Sequence, residues 1–266
     1  MTRFFFHIAY NGKKYHGWQR QPNVRSVQEV IETQLAEVLK MPAITIVGCG
    51  RTDAKVHASQ FFFHTDLAFP IKDDLLYILN KRLPDDISVF DIIEMKGKPH
   101  ARFDAIERVY DYFIHTFKDP FYKDVSSIYT DEKLNLQKMK DAVMLLPLYE
   151  NYGAFCKQPD LHNTTICKIS SAKLFSADNG QKLRFRIASN RFLRGQVRII
   201  VQKLLDIGSG KFSIDEFEDC LRTQRRSKLI KPAHPEGLFL SKVSYPFLSL
   251  SQKGAFVSLA NSWQEI

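Results

Sequence analysis

The stretch Gly48-Cys49-Gly50-Arg51-Thr52-Asp53-Ala54-Lys55-Val56-His57-Ala58 separates two β-rich runs, Ile44-Thr45-Ile46-Val47 before it and Gln60-Phe61-Phe62-Phe63-His64 after it. Glycines, a base and an acid in so short a span read as a tight connection between strands, not as part of one. Upstream, Arg3–Tyr10 (RFFFHIAY) reads as a strand ending at an Asn11-Gly12 turn. Ser26-Val27-Gln28-Glu29 has the form of a capping box, and Val27, Val30, Ile31, Leu35 and Val38 then recur at helical spacing up to a stop at Pro42. Downstream, Leu75, Leu76, Leu79 and Leu83 mark a helix over about 72–82, and Ser88–Ile93 gives another strand. The order β-α-β-β-α-β places the Gly-Arg-Thr-Asp turn between the second and third strands of this half.

The remainder repeats that order with insertions. A strand is expected near 108–116 and a helix near 134–146. Two strands at about 166–175 and 182–188 are joined by Asp178-Asn179-Gly180, and a helix follows at about 191–207. An extra short helix starts at Ser213-Ile214-Asp215-Glu216, and Leu238–Tyr245 forms the closing strand. The expected fold class is therefore mixed α/β (α+β), with two ferredoxin-like split β-α-β halves whose antiparallel sheets flank a central cleft. The halves divide into residues 1–105, carrying the Asp loop, and 106–266.

Composition narrows the partners. The chain of 266 residues is 44% hydrophobic, enough for a substantial core, and 38 Lys+Arg against 29 Asp+Glu leave a net charge of +9. That excess favours a polyanion, because each cation meeting a phosphate releases condensed counterions. Cys49, Cys156, Cys167 and Cys220 are scattered and form no C-x-x-C pair, so neither a zinc site nor a disulfide framework is indicated and a reducing cytoplasm fits. No stretch has the length of a membrane span, and the apolar run at the N-terminus is too short for a signal peptide. No metal site or cofactor is assigned. Gly48-Cys49-Gly50 lacks the third glycine of a dinucleotide fingerprint. Gly208-Ser209-Gly210-Lys211 lacks the first glycine and the final Ser/Thr of a phosphate loop. His57 and His64 lack further nearby ligands.

Taken alone, Asp53 is either a nucleophile or general base held ionised by a nearby cation, or an Asx-type turn beside a surface Arg. Tyr110 is either a ligand-stacking ring or an ordinary strand aromatic, and Arg198 either a functional cation or a snorkelling Arg at the edge of an apolar helix. Arg222, Arg225, Arg226, Lys228 and Lys231 either track phosphates or form a solvated face.

A series of motifs runs through most of the chain: Tyr15-His16-Gly17-Trp18-Gln19 with Gln21-Pro22-Asn23, Ser26-Val27-Gln28, Gly50-Arg51-Thr52-Asp53-Ala54, Val56-His57-Ala58, Leu83-Pro84-x-Asp86-Ile87, Ala101-Arg102-Phe103-Asp104-Ala105, Tyr110-Asp111-Tyr112, Asn190–Arg198 and Pro235-Glu236-Gly237-Leu238. In this order and spacing the chain resembles the TruA family of tRNA pseudouridine synthases. The resemblance implies a cofactor-free isomerase, a homodimer, that converts uridine to pseudouridine in the anticodon stem-loop of tRNA. It implies Asp53 as the catalytic residue, Arg51 as support for the flipped-out base, Tyr110 stacking on that base, Arg198 pairing with the Asp53 carboxylate, and Arg194 among the substrate-binding residues. A target base inside a stem-loop is out of reach of any side chain until it is flipped.

Four departures from the family pattern stand out. Lys55 replaces a usual Gly, the loop after His57 (His57–Gln60) is one residue short, Gln196 replaces a usual Met, and Gln202 a usual Gly. The positive charge and the proximity to Arg51 suggest that Lys55 contacts an RNA phosphate. Competing functions are a paralogue that binds structured RNA without modifying it and a synthase with a shifted target. A nucleoside glycosidase would need a second carboxylate beside Asp53, and none is evident.

Overall fold

In the computed structural model of the chain, residues 1–130, 133–226, 231–251, 253–254 and 263–266 are described. They form two compact units, Met1–Ile106 with Phe239–Val257, and Glu107–Leu238 with Ser258–Ile266.

The first unit contains β1 (Thr2–Tyr10), α1 (Val27–Val38), β2 (Val47–Gly48), β3 (His57–Leu67), α2 (Leu75–Arg82) and β4 (Ile87–Met95). Strand β1 lies between β3 and β4, antiparallel to both, and β2 pairs with β3. The resulting order, β2-β3-β1-β4, is that of a split β-α-β unit. Ser26 caps α1 by accepting the Glu29 amide at 3.2 Å, and the helix ends before Pro42, with Lys40 in the left-handed region at φ 53°.

The phenylalanine runs in β1 and β3 are continuous, not alternating, because both faces of this sheet are covered. On one face Phe6 stacks on Phe63 at 4.7 Å, and Trp18 lies 4.1 Å from Phe61. On the other, Phe5 and Phe62 meet the edge of Tyr245 at 5.6 and 5.5 Å, and Phe5 also meets Phe247. Each fully buried Phe contributes roughly 1.5–3 kcal/mol by burial.

The second unit contains β5 (Glu107–His115), β6 (Ser127–Ile128), α3 (Leu136–Leu145), β7 (Ile169–Ala177), β8 (Lys182–Ser189), α4 (Gln196–Gly208) and α5 (Ile214–Thr223). The antiparallel set β7-β8-β5 forms its sheet, with β6 parallel to the end of β5. The turn between β7 and β8 holds Asp178, Asn179 and Gly180 at φ of 50, 53 and 87°, which is why that tripeptide appears there. Helix α4 begins at Gln196, later than the spacing suggested, because Gly195 at φ 73° breaks helical geometry and serves as the N-cap. Helix α5 carries a complete capping box between Ser213 and Glu216.

Asp111, fully buried in β5, accepts a 2.6 Å bond from Arg184 Nε, with Arg186 at 3.6 Å from its other oxygen. A carboxylate so placed persists only because a cation shares its site.

The strand after α5, β9 (Leu238–Ser244), pairs in parallel with the start of β3, Phe239 opposite His57 and Leu240 opposite Ala58. The edge of β3 is open there because β2 is two residues long and covers only Phe63 and His64. A last strand, β10 (Gln264–Glu265), pairs antiparallel with β7.

Candidate active site

The Gly-Arg-Thr-Asp turn connects β2 to β3 in the first unit. The Val56 amide donates to the Asp53 carbonyl at 3.2 Å, closing a four-residue turn with Lys55 third, at φ 64°. A positive φ at that position of a turn is normally supplied by Gly or Asn. Lys55 therefore occupies a backbone conformation that explains the glycine of the family pattern.

The turn is bonded from both sides by the segment 10–18. Trp18 N–H donates to the Thr52 carbonyl at 3.2 Å, and Lys55 N–H to the Tyr15 carbonyl at 3.0 Å. The Tyr10 and Thr52 hydroxyls share a buried bond at 2.9 Å, and the Gly12 amide donates to His57 Nδ1 at 3.1 Å. This approach is possible only with glycine at two places. A Cβ on Gly12 would lie 2.0 Å from the Val56 carbonyl oxygen, and one on Gly17, itself at φ +89°, would lie 2.4 Å from that of Thr52. Tyr15 donates its hydroxyl to Asp86, whose carbonyl accepts the Asn11 amide at 2.9 Å. Burial, followed by the bond to Asp86, pushes the Tyr15 phenol well above its ordinary range, so it remains a donor. Three motifs quoted separately from the sequence thus form one cradle around the Asp53 backbone. Asp53 itself is half-buried, while Arg51 and Lys55 are exposed.

The glycines of this turn do not share one purpose. A Cβ on Gly48 would meet the Trp18 indole at 2.6 Å, so packing within the protein accounts for it, whereas one on Gly50 would meet nothing within 4 Å. Residues 57–60, read as a shortened loop, are strand. They open β3, Gln60 accepts the Val243 amide at 3.0 Å, and the register with β1 shifts between Ile8 and Tyr10.

The Ala101–Ala105 motif closes the same unit. Burial, reinforced by Arg3 and His100, pushes His64 down to about 4, and the neutral ring accepts the Ala101 amide on Nδ1 at 3.1 Å.

The other expected site residues lie in the second unit. Tyr110, on β5, is half-buried and edge-on to Phe192 at 5.0 Å. Its neighbour on the same face, Tyr112, is fully buried and donates to the His234 carbonyl at 2.7 Å, which makes it the core aromatic of the pair. Phe192, a buttress for the Tyr110 ring, was not singled out from the sequence, although it lies inside the quoted Asn190–Arg198 motif. Arg198, on the first turns of α4, donates from Nε to the Ala233 carbonyl at 2.7 Å, and the Ala233 amide returns a bond to the Arg198 carbonyl at 2.9 Å. Arg194 is exposed, bonded to Gln158 at 2.5 Å. Gln196 is buried and accepts the Leu193 amide at 2.7 Å, which holds the turn carrying Arg194.

The basic cluster separates into different environments. Arg222 pairs with Asp219 at 2.9 Å, and Arg226 donates to the Cys156 carbonyl at 2.9 Å. Lys228 lies outside the described residues.

This is a mixed α/β protein that presents a single carboxylate from a turn braced on both sides, an arrangement suited to nucleophilic or general-base chemistry on a positioned substrate. The family described as tRNA pseudouridine synthase matches residues 149–246. Over 92% of its length the chain is 40% identical to a tRNA pseudouridine synthase A of Porphyromonas gingivalis, covering 98% of that relative. It is 41% identical to a relative of the same description from Bacteroides fragilis, with 92% and 97% of the two chains covered. For one from Exiguobacterium sibiricum the identity is 34%, with 92% and 98% covered. The chain belongs to the tRNA pseudouridine synthase family.

Proposed function

We infer that the protein is an isomerase converting uridine to pseudouridine in tRNA, with Asp53 as its catalytic carboxylate. The observation that carries this is the braced turn around Asp53 in a chain 40% identical, over 92% of its length, to a tRNA pseudouridine synthase A. The reaction breaks the bond from uracil N1 to ribose C1′, forms one from C5 to C1′, and releases the C5 hydrogen. Tritium at C5 of uridine in tRNA should therefore appear in water as the enzyme turns over. Tight binding without release would make the protein a non-modifying RNA binder.

By resemblance, we place the target uridines in the anticodon stem-loop and the enzyme, as a homodimer, in the cytoplasm. Mapping pseudouridine in tRNA from cells lacking the protein checks the first, and sedimentation of the purified chain the second. We assign Arg51 and Arg198 to support of catalysis and Tyr110, Lys55 and Arg194 to substrate binding. Arg198→Ala should lower the saturated single-turnover rate by about 10²-fold, the scale of one lost electrostatic stabiliser. Only the Nε bond to the Ala233 carbonyl is lost, since the backbone bond between the two residues remains, so the cost to the fold should be far smaller. A collapse of thermal stability with the rate preserved would make Arg198 structural.

Lys55 supplies a separable test. Lys55→Gly relieves a left-handed backbone costing about 1–2 kcal/mol, partly offset by about 0.4–1 kcal/mol of added unfolded-state freedom. The variant should melt no lower than the parent, while its tRNA affinity falls and its salt slope decreases by about one contact. Lys55→Asn, which tolerates the same φ, should reproduce the binding change. An unchanged salt slope in both would remove Lys55 from the RNA interface.

A further inference from the structure

The second unit contains a hollow of about 300 Å³ between α4, α5 and the short turn Gly153–Phe155, lined by Phe155, Lys203, Phe212, Cys220, Arg225 and Lys231 among others and by none of the residues assigned to the reaction. Three cations face one carboxylate, Asp206, among the described lining residues. That carboxylate accepts a bond from Gln202 at 2.9 Å and is ion-paired with Lys203 at 3.8 Å. The Lys203 ammonium lies 4.1 Å over the Phe212 ring, which fixes its position while leaving N–H groups to donate. Arg225 and Lys231 form no ion pair among the described residues, whereas Arg222 is paired with Asp219 and Arg226 is bonded to the Cys156 carbonyl.

We propose that the hollow is a phosphate-binding site, in which Arg225 and Lys231 at the rim and Lys203 at the wall hold one phosphate group. Three cations against one counter-charge, which only Lys203 meets, leave the concavity net positive; such a site gains most from a multivalent anion, and a phosphate offers enough acceptor oxygens for all three. The source of that phosphate is either the backbone of the RNA, which rests on the tRNA reading above, or a free phosphate or nucleotide, which does not.

Cys220 lines the hollow and is half-buried, whereas Cys49, Cys156 and Cys167 are buried, so its thiol reports occupancy locally. An anion beside it both blocks access and disfavours the thiolate. Inorganic phosphate, compared with chloride at equal ionic strength, should cause a saturable loss of Cys220 alkylation in the full chain, and the double variant Arg225→Gln with Lys231→Gln should abolish that protection. If RNA supplies the phosphate, the same variant should lower the salt slope of tRNA binding by about two contacts, with the saturated single-turnover rate unchanged. Protection lost in the variant with an unaltered tRNA slope would assign the site to a free phosphate. Absence of protection, together with a slope change no larger than that from the exposed control pair Lys81→Gln with Lys96→Gln, would overturn the proposal. Inactivity of the parent chain on tRNA would instead refute the isomerase reading while leaving the phosphate arm intact.

Discussion

Asp53→Asn should abolish pseudouridine formation, lowering the saturated single-turnover rate by about 10⁴-fold or more while leaving melting temperature and tRNA affinity close to the parent values. The amide preserves the size of the side chain, and the bonds that hold the turn are made by backbone groups of Thr52, Asp53 and Lys55. Only the negative charge and nucleophilicity are lost. Tritium release from C5-labelled tRNA under excess enzyme measures this directly, and near-parental release would eliminate Asp53 as the catalytic group. A fall in both rate and stability would instead assign the carboxylate a part in the fold.

Gly17→Ala should be nearly as damaging by a different route. The residue has φ +89°, and an added Cβ would stand 2.4 Å from the Thr52 carbonyl oxygen and 3.1 Å from the carbonyl carbon of Asp53. Neither neighbour is a side-chain tip that can swing aside. The backbone of the turn must move, at a combined cost of about 2–5 kcal/mol from the unfavourable φ and the overpacking. A displacement of about 1 Å at a reacting group costs about 10²-fold in rate, so activity should fall even below the melting transition. Gly50→Ala is the matched control: it lies in the same turn, has no positive φ, and its added methyl group meets open space. Equal effects from the two substitutions would show that local packing against residues 15–18 does not position Asp53.

Much of the architecture was legible because it is written in short-range periodicity. The strands around 3–10, 60–64, 88–93, 108–116 and 182–188 and the helices around 27–38, 134–146 and 214 onward follow from side-chain spacing and caps within a few residues of one another. The Asp178-Asn179-Gly180 turn was equally local, since its left-handed backbone requires those residue types. The acidic group in the β2–β3 connection was visible for the same reason. Helix α4 was misplaced at its start because Gly195 is compatible with both a helix interior and a cap, and only its φ distinguishes them.

Other features depended on contacts between residues far apart in the chain. Nothing local indicates that Gly12 and Gly17 must be small, because the atoms they would strike belong to residues 52–56. The reason a glycine is usual at position 55, and the strain that Lys55 accepts, emerge only when the turn is closed by the Asp53–Val56 bond. The parallel pairing of β9 with the start of β3 required knowing that β2 stops after two residues and leaves that edge open. Likewise, five cations close in sequence looked like one cluster until their partners separated Arg222 and Arg226 from Arg225 and Lys231. Hydrophobic period and turn chemistry are set by neighbours along the backbone and can be read from composition in order. Close approach, edge pairing and charge neutralisation are set by neighbours in space, and tertiary packing chose those for this protein.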